Sequence, residues 1–274
     1  MRRLALVVAA VLLAGWVGWG EHHAGVDVLF AVGLLPRAAG MSGAGLARLT
    51  GPDALLVNPA GLGATSTWEV ASEYASQFGA AELTGLAAAG PGVGVAVLAV
   101  DAGQITDQLS FRTEGAVVGA GLRLVDRLAV GARLRVLHPV RPSEALGWAA
   151  DVGLRWEGPI ALGAVWEAAA SRPAHPGESW PRPLAVGVAA QLSLARGTVG
   201  WATVEVIGET GSGLRGRLGA EMWAGDVALR AGWSPETITC GLSAAWGAFR
   251  LDWATALHQT LPPSFRISLS VMFP

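Results

Sequence analysis

The sequence predicts an all-β protein: a closed antiparallel transmembrane β-barrel of about 14 strands with an N-terminal hatch or plug segment. Three observations carry that expectation. The first is period-two alternation. Trp148, Ala150, Val152, Leu154 and Trp156 fall on one face, and Gly147, Ala149, Asp151, Gly153 and Arg155 on the other, which is the pattern of a strand with two unlike faces. The second is hydropathy. Apolar residues make up 52% of the chain, yet no uninterrupted run of ~20 apolar residues, the length a spanning helix needs, follows the N-terminus. The third is the rhythm of the connections, short turns alternating with longer loops, as expected of a barrel with short turns on its periplasmic side.

Composition narrows the function. Charged residues are 15% of the chain and the formal net charge is −2, so nothing electrostatic favours nucleic acid as a partner. Cys240 is the single cysteine; it has no disulfide partner within the chain and reads as a small residue on the apolar face with Ile238, Leu242 and Trp246. No cofactor or metal motif is present. His22 and His23 stand without further ligands nearby.

In chain order, residues 1–20 read as a signal peptide. Arg2 and Arg3 form the charged start, Leu4 to Val17 the apolar stretch, and Gly18-Trp19-Gly20 a small-x-small cleavage site. Residues 21–66 form the expected hatch segment. In it Pro52 and Asp53 suit a helix start, and Asn58-Pro59 ends the helix because a residue before proline avoids the α region. Residues 67–274 form the barrel. Its first strand begins at Trp68 and its last ends at Phe273, with long loops expected at 101–114, 139–145 and 169–183. The last of these, rich in proline and arginine, reads as a stiff exposed loop. An even strand count puts both termini on the periplasmic side.

Tryptophans support two interfacial girdles. Trp148 and Trp156 are ~26 Å apart along their strand at ~3.3 Å per residue, or ~20 Å along the membrane normal when tilted, close to the ~25 Å apolar band of such barrels. Trp223 and Trp246 fall by short turns, Trp166 and Trp233 by long loops. Inward positions collect charge: Arg123, Arg133, Arg135, Asp151, Arg155, Glu167, Arg215, Arg217, Glu221, Arg230, Arg250, Asp252 and Arg266. Both signs occur, so ion-pair ladders filling the lumen are expected. Glu205 is the exception. It shares a face with Trp201 and Thr203, which predicts a bulge or a position beyond the lipid band.

Several stretches carry a family resemblance. Arg37-Ala38-Ala39-Gly40-Met41, Gly43-Ala44-Gly45 and Asp53-Ala54-Leu55 lead into Asn58-Pro59-Ala60-Gly61-Leu62. Near the other end stand Leu229-Arg230-Ala231-Gly232-Trp233 and Leu251-Asp252-Trp253-Ala254. Together they resemble the FadL-type outer-membrane transporters and the related PorV and PorQ proteins. The resemblance implies a barrel with a hatch and assigns Asn58, Pro59, Ala60 and Gly61 to that hatch. The final strand, with Phe265, Ile267, Leu269, Val271 and Phe273 on one face, resembles the signal read by the barrel-assembly machinery, here followed by Pro274.

The expected function is passive transport of small hydrophobic compounds, fatty-acid-like or aromatic, across the outer membrane, gated by the hatch. The alternative is a PorV-like, non-transport role with secretion components as partners. An enzyme is not expected: His138, His175 and His258 lie near Ser143, Ser171 and Ser264, but no spacing joins a nucleophile to a base and an orienting group.

Overall fold

The computed structural model describes residues 29–30, 33–106, 109–141, 144–176, 178–193, 197–209 and 213–273; the expected signal peptide lies outside them. The strands close into one antiparallel barrel in simple up-and-down order, with the last strand paired to the first. They are β1 (Trp68–Gln77), β2 (Ala81–Gly90), β3 (Val93–Thr106), β4 (Leu109–Val125), β5 (Leu128–Arg141), β6 (Gly147–Trp156) and β7 (Ile160–Arg172). There follow β8 (Leu184–Ser193), β9 (Thr198–Glu209), β10 (Gly213–Ala224), β11 (Val227–Trp233), β12 (Thr237–Trp246), β13 (Phe249–His258) and β14 (Ser264–Phe273). Closure matters physically, because a sheet with no edge leaves no backbone group unpaired in hydrocarbon.

The alternation read from the sequence is the alternation of burial. Along β6 every residue from Gly147 to Trp156 switches between inward and outward, and Phe265, Ile267, Leu269 and Phe273 of β14 stand outward and exposed. The outer band they belong to carries Leu86, Val97, Leu122, Leu154, Leu162, Leu229 and many similar side chains, about half exposed. So large a continuous apolar surface is stable against lipid rather than water.

Four expectations are corrected. The 101–114 loop is largely strand: β3 and β4 run on as a hairpin, with bulges after Asp101 and Gln104 and Gly103 at a φ of 60°. Here the outward face changes from Val95, Val97 and Val118 to Asp101, Arg112 and Glu114, and Arg112 bonds Glu114 at 2.7 Å. The inward face stays apolar through Val100 and Phe111, so the hairpin keeps a surface to pack on. The 169–183 loop is not simply exposed. β7 extends into it as far as Arg172, and Trp180 is buried, its indole N–H donating to the Arg172 carbonyl at 3.0 Å. Finally, Glu205 needs no bulge. The β9–β10 register is continuous and sets Glu205 opposite Arg217 and Trp201 opposite Glu221, so that face points into the lumen. Trp223 shares the inward face of β10 with Glu221 and lies 5.8 Å from the Arg230 guanidinium, which removes it from the girdle. Trp148, Trp156, Trp166 and Trp246 are outward and exposed.

Candidate functional site

The lumen holds the chain's own N-terminal segment. A short helix α1 (Pro36–Ala39), a helix α2 (Gly51–Val57) and a 3-10 turn (Pro59–Ala64) are buried almost throughout. The sequence accounts for α2: Pro52 sits in its first turn, Asp53 follows, and Asn58 ends it with extended backbone. Asn58 then caps the next turn, its Oδ1 accepting from Ala60 N at 3.1 Å.

Inward glycines of the wall make the seat. Gly121 pairs with Gly131 and Gly131 with Gly153 across β4, β5 and β6, forming a trough without side chains. A Cβ at Gly131 would lie 2.3 Å from Pro59 C, and one at Gly163 would lie 2.5 Å from Leu46 C. On the opposite wall a Cβ at Gly232 would lie 2.3 Å from Met41 C. The inner backbone therefore touches the wall backbone directly, and this is where the abundant inward glycine is used.

Polar side chains fasten the segment. Asn58 Nδ2 donates to Leu46 O at 2.8 Å and to Leu154 O of the wall at 3.1 Å. Arg155 donates to Leu49 O at 2.8 Å and pairs with Glu157 at 3.1 Å. Glu205, fully buried, accepts from Gly45 N at 2.6 Å and Leu46 N at 2.7 Å and pairs with Arg217 at 3.2 Å. Thr239 donates to Gly40 O at 3.0 Å and accepts from Ser42 N at 3.0 Å. Arg133 donates to the Leu55 carbonyl at 3.0 Å and also to that of Leu56, where the last turn of α2 leaves carbonyls unpaired. The Arg48 guanidinium stacks 3.5 Å from the Trp201 ring centroid. That stack explains why a tryptophan faces inward on β9. An Asn58→Ala chain, which loses all three amide bonds, is expected to lower the stability of the seated segment by about 2–3 kcal/mol, checked by hydrogen exchange of residues 46–62 at constant pH.

Eight of the charges foreseen as lumenal form two groups. Asp151 accepts from Arg133 Nε at 2.5 Å, from Arg135 at 2.9 Å and from Ala168 N at 2.7 Å; Glu167 adds a contact to Arg135 at 3.3 Å. This carboxylate fixes an irregularity in β7, where Ala168 takes a φ of 46° and the β6–β7 register shifts between Ala150 and Val152. The second group is a ladder running from the inner segment across the wall. Arg37 grips Glu221 with bonds of 2.7 and 2.8 Å, and Glu221 meets Arg230 at 2.7 Å. Arg230 meets Asp252 at 3.2 Å, Asp252 meets Arg250 at 2.6 Å, and Arg250 meets Glu69 at 2.6 Å. Ser243 joins it, accepting from Arg230 at 2.5 Å and donating to Asp252. Arg123 differs: it is half-exposed at the short-turn end, bonded to Asp126 O and Glu157. Sequence reasoning passed over Ser243, and over Arg37, Glu69 and Glu73 as charges, whose partners lie far away along the chain.

The rest of the lumen is apolar. Val100, Leu137 and Trp180 near the long-loop end adjoin Leu83, Leu98, Val117 and Phe30, and the cluster ends on Leu55 and Leu62 of the inner segment. It lies mainly along β1–β7, while the ladder lies on β10–β14 and β1. His258 Nε2 meets Ser264 Oγ at 2.8 Å, but its other neighbour is the Phe78 ring at 4.6 Å rather than a carboxylate. No group of three or more His, Cys, Asp or Glu suited to a metal occurs among the described residues.

No family model matches the chain, and no curated protein matches it. Solved structures do. The CymD monoaromatic hydrocarbon channel superposes with a TM-score of 0.57 at 15% identity, covering 89% of this chain and 97% of the other. The P. putida toluene transporter TodX gives 0.53 at 12% identity over 86% and 97%. A Pseudomonas aeruginosa FadL homologue gives 0.52 at 10% identity over 88% and 98%. The first two are a hydrocarbon channel and a toluene transporter. The chain shares its closed barrel fold with the FadL-type hydrocarbon channels.

Proposed function

We propose that the protein is an outer-membrane channel for passive uptake of small hydrophobic compounds, fatty-acid-like or aromatic, and that residues 33–66 act as its hatch. The apolar outer band supports the membrane setting, the signal peptide expected at residues 1–20 supports export, and the fold shared with hydrocarbon channels supports the cargo class. One observation carries the reading. A strip of apolar side chains runs from the long-loop end of the lumen to Leu55 and Leu62 of the inner segment.

Apolar contact of this kind suits a ligand with few polar groups, because burial of ~25 cal/mol per Å² is its main driving force. The account makes displacement of the hatch the step that opens the path. Uptake of a labelled aromatic hydrocarbon and of a labelled fatty acid, compared in cells with and without the gene, tests it. Faster uptake of at least one with the gene is expected. Equal rates for both would overturn the transport reading, and co-purification with secretion components would then favour the PorV-like role.

A further inference from the structure

The residue least explained by the seat is Asp53 of α2. It is 1% exposed. Among the described residues its buried Oδ1 has no hydrogen-bond partner, and no ion pair reaches the side chain. A buried ionised carboxylate without partners is costly, so its surroundings decide its state.

Those surroundings leave it surplus. The neighbouring ladder pairs three guanidiniums, Arg37, Arg230 and Arg250, with three carboxylates, Glu221, Asp252 and Glu69. Asp53 would add a fourth negative charge with no cation left to meet it. The charged groups on the elements around α2 are accounted for. On α1, Arg37 is committed to Glu221. On β1, Glu69 lies against the start of α2, its Oε2 3.1 Å from where a Gly51 Cβ would stand, and Glu73 pairs with Arg266 at 3.2 Å. On β5, Arg133 holds the far end of the helix and Asp151. On β13, Arg250 and Asp252 bind each other. The inward residues of β2, β3 and β4 packed on α2, Ala87, Ala89, Ala96 and Gly119 among them, are uncharged, as is the whole 3-10 turn.

We propose that Asp53 is a proton-binding site that sets how firmly the inner segment is seated, holding its proton more tightly in the closed lumen than when the segment leaves it. Burial pushes this carboxyl up from 3.8 to about 6, against the pull of Arg37 and Arg250 and with Glu69 and Asp252 adding to the rise. The sign follows: the seated state binds more protons than the released state, so seating tightens as pH falls from about 6 to 3.8 and is weakest above that window. The rise corresponds to roughly a hundredfold change in the seating equilibrium.

This gate rests on the hatch reading above, and two measurements separate them. Hydrogen exchange of residues 51–57 in the full chain, as the ratio of the native protein to Asp53→Asn at each pH, cancels the intrinsic rates. Native protection relative to the variant is expected to fall by about fiftyfold between pH 4 and 7. Asp53→Ala is expected to behave like Asp53→Asn. A ratio that does not change with pH overturns the proposal. The second measurement is toluene flux into proteoliposomes, chosen because toluene does not titrate. Flux rising with pH in the native protein and flat in Asp53→Asn supports both ideas. A protection change without a flux change supports the proton site and overturns gating.

Discussion

Gly131→Val is expected to expel the inner segment while leaving the barrel closed. The added Cβ would meet Pro59 C at 2.3 Å, Pro59 O at 2.4 Å and Ala60 N at 2.5 Å, all backbone atoms that cannot rotate aside. Overpacking costs typically ~1–3 kcal/mol even where side chains yield, and here none can. The wall itself is not opposed, since valine favours strands and β5 is paired on both sides. The strain therefore falls on the seat. At 1.4 kcal/mol per tenfold, the released population rises by about tenfold or more. Conductance in planar bilayers checks this, with longer or more frequent openings expected than in the native protein. A variant with native conductance and native exchange protection of residues 46–62 would contradict the close backbone approach.

Asp151→Asn is expected to cost about 3–5 kcal/mol, the range for breaking a buried ion pair by removing one partner. The substitution leaves Arg133 and Arg135 buried with Glu167 as the remaining carboxylate and weakens the hold on Ala168 N. Glu114→Gln, which removes an exposed contact to Arg112, is the control, with an expected change within about 0.5 kcal/mol. Denaturant titration of both variants in lipid vesicles gives the comparison. Equal midpoints would mean that the Asp151 cluster only fills space.

Much of this architecture was legible in the sequence, because a barrel wall between two unlike solvents imposes period two on every strand. Trp148 to Trp156 shows this directly. The helix ending at Asn58-Pro59 was legible too, since both its start and its stop are local chemistry. The partners were not. Arg37 and Glu221 are 184 positions apart, and no local period reports that they meet. Tryptophan misled for a related reason. Trp223 resembles a girdle residue by type and by its place beside a short turn, but a lumen filled with protein offers an inward tryptophan a guanidinium to cover. Trp180 was hidden by its prolines, which describe the stiffness of a loop and not the direction it folds.

The claim that apolar compounds cross only when the inner segment leaves its seat is tested most directly by locking it there. Ser42 Oγ and Thr239 Oγ1 lie 3.1 Å apart, so Ser42→Cys with Thr239→Cys, in a Cys240→Ser background, allows a disulfide between segment and wall. Toluene flux into proteoliposomes should be lost in the oxidised protein and return on reduction. Equal flux in the two redox states would contradict the account.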